Sequence, residues 1–396
     1  MKKTIKIYPI REIRTLFYAF IFFALLKPDS LEYIGLKWLD QALILLDGII
    51  MAILLLFAIT RRYRISIMTI IIICMYGTLA LSTAIISKDY FTLLKTAGPA
   101  IAICMFTDYA LQKKPQVYFR SIIFLLGSLY LLNFITILMY YPEGMYQMEL
   151  VVGDLYLMGY DNGMIYNLLP LCCYSFIYSY VKHNKLFTKV SIFSVLLMLI
   201  SVSYVKSASG IIQAIFLIVL VICTSNKIIR SIIKPKILFL GFIVITLLVV
   251  VFRIQNNFSW LFVDILGKDL TFTGRTYLWD YTLPVIRNNW LFGIGAGGRT
   301  VLGVNGHTYP HPHCLILDML YKGGILMFGF FMSLLSEFSK KYKKEKNYKI
   351  KNILLVTITV FLIGEVANSV QYKIFFWAIF VTIEYCGNIQ KMFESK

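Results

Sequence analysis

Apolar runs of about 17–25 residues, the length a tilted helix needs to cross a bilayer, recur from one end of the chain to the other. They predict about twelve spans, near residues 13–27, 38–60, 65–87, 90–110, 118–140, 163–181, 187–205, 208–224, 237–252, 313–336, 352–371 and 374–388. The polar breaks between them fall into two alternating sets. One contains Arg61-Arg62-Tyr63-Arg64, Lys113-Lys114, Lys182 and Lys185, the group Lys227, Arg230, Lys234 and Lys236, and the lysine-rich run from Lys340 to Lys351. The other contains the 141–161 loop, with Glu143, Glu149, Asp154 and Asp161 and no Lys or Arg. Cytoplasmic loops of membrane proteins collect Lys and Arg. The pattern therefore predicts an all-α, polytopic membrane bundle, a single domain over residues 1–396, with both termini in the cytoplasm.

Composition agrees. The 396 residues are 59% hydrophobic and 15% charged, against roughly 45–50% and about 25% in soluble domains. This excludes a soluble globular enzyme, a disordered chain and a fibrous one. The net charge of +19 would suggest nucleic acid in a soluble protein. In a membrane protein it follows from the basic inner loops, so no nucleic-acid partner is expected. The seven cysteines show no zinc spacing and no disulfide framework. Met1-Lys2-Lys3 precedes an apolar stretch that ends in Leu26-Lys27-Pro28 without a small-residue cleavage site, which predicts an uncleaved first span.

One loop departs from the rest. Residues 253–312 form a long outer segment with Trp260, Trp279 and Trp290, a glycine cluster and Arg253, Lys268, Arg275, Arg287 and Arg299. Long loops are usually functional or disordered. Cations on the outer side run against the charge rule, and binding an anion outside the membrane is a reason for them. Residues 277–286 predict a short amphipathic helix started by Thr273-Gly274, with Arg275 and Trp279 sharing one face. A break follows at Asn288-Asn289.

Gly293-Ile294-Gly295-Ala296-Gly297-Gly298 matches a dinucleotide-binding pattern by letter, with Asp318 about twenty residues on where such a fold wants an acid, but the segment lies in an outer loop, follows no buried strand, and Asp318 falls in the next span. The glycines instead permit close backbone approach to a ligand or a neighbouring helix. His307, His311 and His313 are three of the four histidines. A metal site, a cap for the helix starting near His313, and a catalytic or substrate-binding role are the alternatives. The last fits a base for a hydroxyl proton, with no metal and no cofactor. Arginine offers a charged planar fork that matches phosphate oxygens. Lys206, in Lys206-Ser207-Ala208-Ser209-Gly210, adds charge at the outer face or snorkels to the interface. Asp40, Asp47, Lys95, Lys322, Glu365 and Glu384 lie in or near spans, where charges are functional-site candidates.

These residues resemble a known family. Arg275, Trp279 and Asn289-Trp290-Leu291-Phe292-Gly293-Ile294-Gly295, then His311-Pro312-His313-Cys314 with Leu317, Leu320 and Gly324, are similar to the ordered motifs of the O-antigen polymerase/ligase family. Ser207-Ala208-Ser209-Gly210 resembles its small-residue motif. Cys314 stands where the family usually has asparagine, and Lys206-Ser207 where many members have Ser-Arg. The resemblance implies a GT-C-like glycosyltransferase in the bacterial cytoplasmic membrane. It would be a polymerase joining undecaprenyl-diphosphate-linked oligosaccharide units at the outer face by inverting, metal-independent transfer, in O-antigen or capsule synthesis. Arg275 and His313 would be catalytic. Arg287, Arg299, His311, Lys206 and Trp279 would bind diphosphate or sugar. The partners would be the lipid-linked oligosaccharide, membrane lipids and a chain-length regulator. A ligase that moves finished polymer to a terminal acceptor is the alternative within the family. A flippase for the same lipid-linked sugar is the alternative from another class; it predicts repeated halves, and no repeat is visible.

Overall fold

A computed structural model describes residues 9–146, 154–258, 260, 274–298, 301–303, 308–368 and 373–394. Its elements run α1 (Pro9–Leu26), α2 (Lys37–Ile59), α3 (Ile67–Ser82), α4 (Tyr90–Lys113), α5 (Pro115–Tyr140), α6 (Ile165–His183), α7 (Lys189–Tyr204) and α8 (Ala208–Cys223). They continue with α9 (Lys227–Ile232), α10 (Pro235–Val250), α11 (Arg275–Asn288), α12 (Leu315–Lys344), α13 (Tyr348–Gly364), α14 (Ile374–Thr382) and α15 (Cys386–Glu394). Two short antiparallel pairs, β1 (Leu155–Tyr156) with β2 (Gly159–Tyr160) and β3 (Val301–Leu302) with β4 (Thr308–Tyr309), sit in the loops. The chain is a polytopic helical membrane protein. Six helical segments, at Lys37–Ile59, Ile67–Ser87, Tyr90–Lys113, Pro115–Tyr140, Asp161–His183 and Leu315–Lys344, are long and apolar enough to cross a bilayer. The apolar helices α7, α8 and α10 are shorter.

Side chains set the helix ends. Ser66, Asp89, Ser207 and Asn347 each accept a backbone N–H of the following first turn, which satisfies donors that a helix start leaves open. Pro115 and Pro235 stand at the first helical positions of α5 and α10, where a missing N–H costs nothing. The apolar runs expected to span coincide with helices, with two differences: the run at 374–388 is divided between α14 and α15 by a short 3-10 turn at Ile383–Tyr385, and a second shift bears on function. The run at 352–371 ends early: α13 stops at Gly364, and Glu365 is its C-cap rather than a mid-span charge.

The interior is built around α6, α13 and α14, which are buried over nearly their whole lengths. The helices α2, α8 and α10 turn large apolar side chains outward, among them Leu45, Ile59, Ile215 and Leu240, as lipid-facing helices do. Ion pairs and hydrogen bonds join helix ends in two sets. Lys27 pairs with Asp40, and Ser207 with Asn162, in one set. Asp108 bonds Ser66 and Tyr385, and Lys341 pairs with Glu384, in the other. These are the same two sets of ends that the alternating loops predict.

Candidate active site

The helix expected at 277–286 is α11, Arg275–Asn288, with Gly274 before it and Asn289 after it. Gly274 has φ +82°, a left-handed conformation that costs glycine little. Arg275 is therefore the first helical residue. Trp279, one turn on, is fully buried, and its Nε1 donates to the Pro312 carbonyl at 2.9 Å. Arg253 pairs with Asp280, donates to the Thr276 carbonyl at 3.2 Å and lies over the Trp279 ring at 5.1 Å. One of the five cations of the outer loop thus holds α11 in place. Trp279→Phe removes the Pro312 bond and leaves that carbonyl without its donor. It is expected to destabilise by about 1–3 kcal/mol, read as a lower unfolding midpoint in detergent.

The glycine segment Gly293–Gly298 is a structural clamp. Helix α12 is broken at Gly324, with φ +64° and ψ −164°. A break inside a helix leaves carbonyls and amides that must find partners away from water. Ile294 N donates to Tyr321 O at 2.8 Å, Gly295 N to Lys322 O at 2.9 Å, and Ile325 N to Trp290 O at 2.8 Å. The backbones approach so closely that a Cβ on Gly293 would lie 2.5 Å from the Lys322 carbonyl carbon. On its other side the segment grips the end of α3. Ala296 N donates to Thr83 Oγ1 at 2.9 Å, and Ser87 Oγ donates to Ala296 O at 2.5 Å. A Cβ on Gly297 would overlap the Asp89 carboxylate. The glycines serve helix packing, and no nucleotide cradle is formed.

The clamp and α11 bring the candidate side chains together. His313 precedes α12 with φ +49°, an uncommon conformation for a non-glycine residue that the surrounding bonds must hold. Its N–H donates to His311 Nδ1 at 3.2 Å, and the two rings lie 4.3 Å apart at 60°. Tyr309, held in the β3–β4 pair opposite Val301, places its ring 5.6 Å from that of His313. Arg275, Lys322 and Lys373 all direct positive charge at His311. Lys322 is buried against Asp318 at 2.9 Å. Burial first, then these cations, push the His311 imidazole down from its usual value of 6.5 to about 3. Burial, His311 and Arg275 push His313 well below 6.5, against the opposing pull of Asp318 and of a hydrogen bond to Asn368.

Both histidines are therefore neutral at pH 7 and stay so on mild acidification. A solvent-exposed histidine base would lose about tenfold in rate for each pH unit below 6.5. Here the rate of the purified protein is expected to hold roughly level from pH 7.5 to pH 5.5. A tenfold-per-unit loss across that range would show that the histidines are not shielded.

The remaining expected residues are placed unequally. Lys206 is exposed just after α7. Its neighbour Ser207 donates to Asn162 Oδ1 at 2.6 Å, and Asn162 Nδ2 donates to Tyr160 Oη at 3.2 Å. The Arg275 charge reaches Tyr160, so Lys206 lies beside a link to the site rim. Arg287 is exposed on the last turn of α11. It lies twelve residues from Arg275, roughly 18 Å along the axis at about 1.5 Å per residue, and the structure does not bring the two together. Thr273, Lys268, Arg299 and His307 lie outside the described residues.

Sequence reasoning missed Tyr166, Asn368 and Lys373 as site residues. Tyr166 lies in an apolar helix and reads as packing. Asn368 and Lys373 flank the short link between the last two spans, where polar residues need no explanation.

Part of the chain that carries this site is similar to a known family. Residues 193–332 match the model of the family described as O-antigen ligase. No curated protein and no solved structure matches the chain. The match runs from α7 into α12 and contains Lys206, Arg275, Trp279, His311, His313 and the Gly293–Gly298 clamp. Residues 193–332 are thus similar to the O-antigen ligase family.

Proposed function

We propose that the chain is a polysaccharide polymerase that joins oligosaccharide units carried on undecaprenyl diphosphate at the outer face of the cytoplasmic membrane. The observation that carries this reading is the pair of His311 and His313 rings, 4.3 Å apart, in the segment that Trp279 of α11 anchors through Pro312, with the Arg275 charge bearing on both. That charge suits a diphosphate leaving group, and the histidines suit an acceptor hydroxyl.

In the proposed step an acceptor hydroxyl oxygen attacks the anomeric carbon of the donor sugar. The bond from that carbon to the phosphate oxygen breaks, and the electron pair leaves on the carrier diphosphate. The hydroxyl proton passes to His313. Arg275 stabilises the charge that grows on the leaving group. Its place at the start of α11 adds the partial positive charge of a helix N-terminus. Single displacement inverts the anomeric centre. His311 and Trp279 hold His313 and the segment around it, and Lys206, exposed just after α7, would meet the incoming sugar or phosphate. A chain-length regulator would act on this protein from outside the reaction centre.

The family description supports equally a second reading, a ligase that transfers finished polymer to a terminal acceptor. The two are separated by complementation of a strain lacking the protein with His313→Ala, with membrane levels checked by blotting. A polymerase reading expects single repeat units on the final acceptor. A ligase reading expects polymer retained on the carrier lipid. A normal polymer ladder at normal protein level would remove His313 from both.

A further inference from the structure

We propose that a polar cavity between the end of α1 and the starts of α6 and α14 is a saccharide subsite, which holds one sugar ring of the oligosaccharide by its hydroxyl groups. The proposal rests on the transferase reading above and adds a binding site to it.

The cavity contains about 290 Å³ of empty space, part of it open to solvent. That lies near the lower end of the roughly 300–1,000 Å³ of small-ligand sites and suits one ring. Lys27 and Asp29 line it from the turn after α1, Asn167 from the first turn of α6, and Lys373 from the residue before α14. Lys27 ends α1 with φ +30° and is held by its ion pair to Asp40 of α2. The Asp29 carboxylate lies so close to Gly159 that a Cβ there would overlap it. A Cβ on Gly163 would lie 3.8 Å from Lys373 Nζ. Asn167 is 3% exposed, and its Nδ2 donates to Tyr130 Oη at 2.8 Å. Its Oδ1 is buried with no hydrogen-bond partner among the described residues. A buried acceptor left unpaired costs about 1–3 kcal/mol, so this wall of the cavity calls for a donor.

The lining selects the chemistry of the occupant. The two ammonium groups only donate, whereas Asn167 Oδ1 and the Asp29 carboxylate only accept. A phosphate or carboxylate would bring acceptors alone and would meet Asp29 with like charge. An apolar chain would pair with none of the four groups. A sugar hydroxyl both donates and accepts, so neighbouring hydroxyls on one ring can serve Asn167 and a lysine together. A site built this way rejects analogues that lack the hydroxyl, because its own buried groups are then left unpaired.

The turn after α13 joins the cavity to the histidines. Asn368 Nδ2 donates at 3.0 Å to the hydroxyl of Tyr166, which precedes Asn167 on α6. The Glu365 carbonyl accepts the N–H of Leu315, two residues after His313, at 3.1 Å. A ring held in the cavity keeps the oligosaccharide beside the reacting groups without touching them.

The test has two arms that fail separately. The first measures binding without any reaction. The probe is the repeat-unit oligosaccharide, freed from its carrier by mild acid and titrated into the full-length protein in lipid nanodiscs. Asn167→Leu and Lys373→Gln are each expected to weaken its binding roughly tenfold. Lys37→Gln, which removes an exposed cation at the start of α2, is expected to bind as the unmodified chain does. Lys373 is half-buried, so Lys373→Gln decides the test if Asn167→Leu fails to fold. Unchanged binding in the variants means that the cavity holds water only, and overturns the proposal. A loss of affinity for inorganic pyrophosphate with that for the oligosaccharide unchanged makes it an anion site, and overturns the proposal too.

The second arm follows polymer formation from lipid-linked repeat units in the same nanodiscs. Asn167→Leu is expected to raise KM about tenfold with little change in kcat, the sign of binding lost equally from ground and transition states. A loss confined to kcat overturns the subsite. Oligosaccharide binding that depends on Asn167 and Lys373, in a chain that forms no polymer, supports the subsite and counts against the polymerase reading.

Discussion

Arg275→Ala is expected to lower the rate of polymer formation by about 10²–10³-fold while leaving the protein folded and inserted. The argument is electrostatic. A diphosphate leaving with its electron pair gains charge in the transition state, and a cation preplaced in a site closed to water stabilises that charge more than it stabilises the ground state. Arg275 is half-buried at the start of α11, and its charge reaches His311, His313 and Tyr160. Arg275→Lys keeps the charge and loses the planar fork that grips two oxygens, so part of the rate should return. Arg287→Ala is the control, because that side chain is exposed at the far end of the same helix. The measurement is the initial rate with lipid-linked repeat units, normalised to protein in the membrane. Equal losses for Arg275→Ala and Arg287→Ala would mean that the charge acts at long range and that the site is misplaced.

Gly324→Ala is expected to destabilise the fold by several kcal/mol, and with it to scatter the site. A left-handed φ costs a residue with a Cβ about 1–2 kcal/mol. The new atom would also overlap the Leu291 carbonyl, which is backbone and cannot rotate away; overpacking of this kind costs about 1–3 kcal/mol more. If the clamp opens, the bonds of Ile294 and Gly295 to the broken helix are lost as well, at about 0.5–1.5 kcal/mol each. That sum is a large share of a total stability of about 5–15 kcal/mol. Gly329→Ala in the same helix has nothing within 4 Å of its new Cβ and should be neutral or stabilising by up to about 1 kcal/mol. Unfolding midpoints in one detergent compare the two. Similar midpoints would show that the break in α12 carries no strain on its neighbours.

These expectations differ in how early they could have been written. Arg275, Trp279 and His313 were legible as a set because their order and spacing resemble a family motif, and the structure gathers them. Arg287 had the same chemistry in the same loop, yet it lies on the last turn of α11, away from the cluster at its start. The glycine run was legible as a close approach, but nothing in its letters named α3 and the break in α12 as the surfaces approached. Glu365 was legible as a costly charge in an apolar stretch. Its helix ends one residue before it, and only that ending brings its backbone carbonyl to the Leu315 N–H at the start of α12.

The sequence by itself determined the bundle and the alternation of its ends, because hydrophobic length and loop charge are local properties that each segment carries alone. It also pointed to the 253–312 loop as the place to look for chemistry, since cations placed against the charge rule stand out without any partner. Only the tertiary structure decided which of those cations lies beside the histidines and that the His311 and His313 rings face each other. Those outcomes depend on contacts between α6, α11, α12 and α13, which are distant in the chain. A hydrogen bond between such elements leaves no periodic trace in either of them.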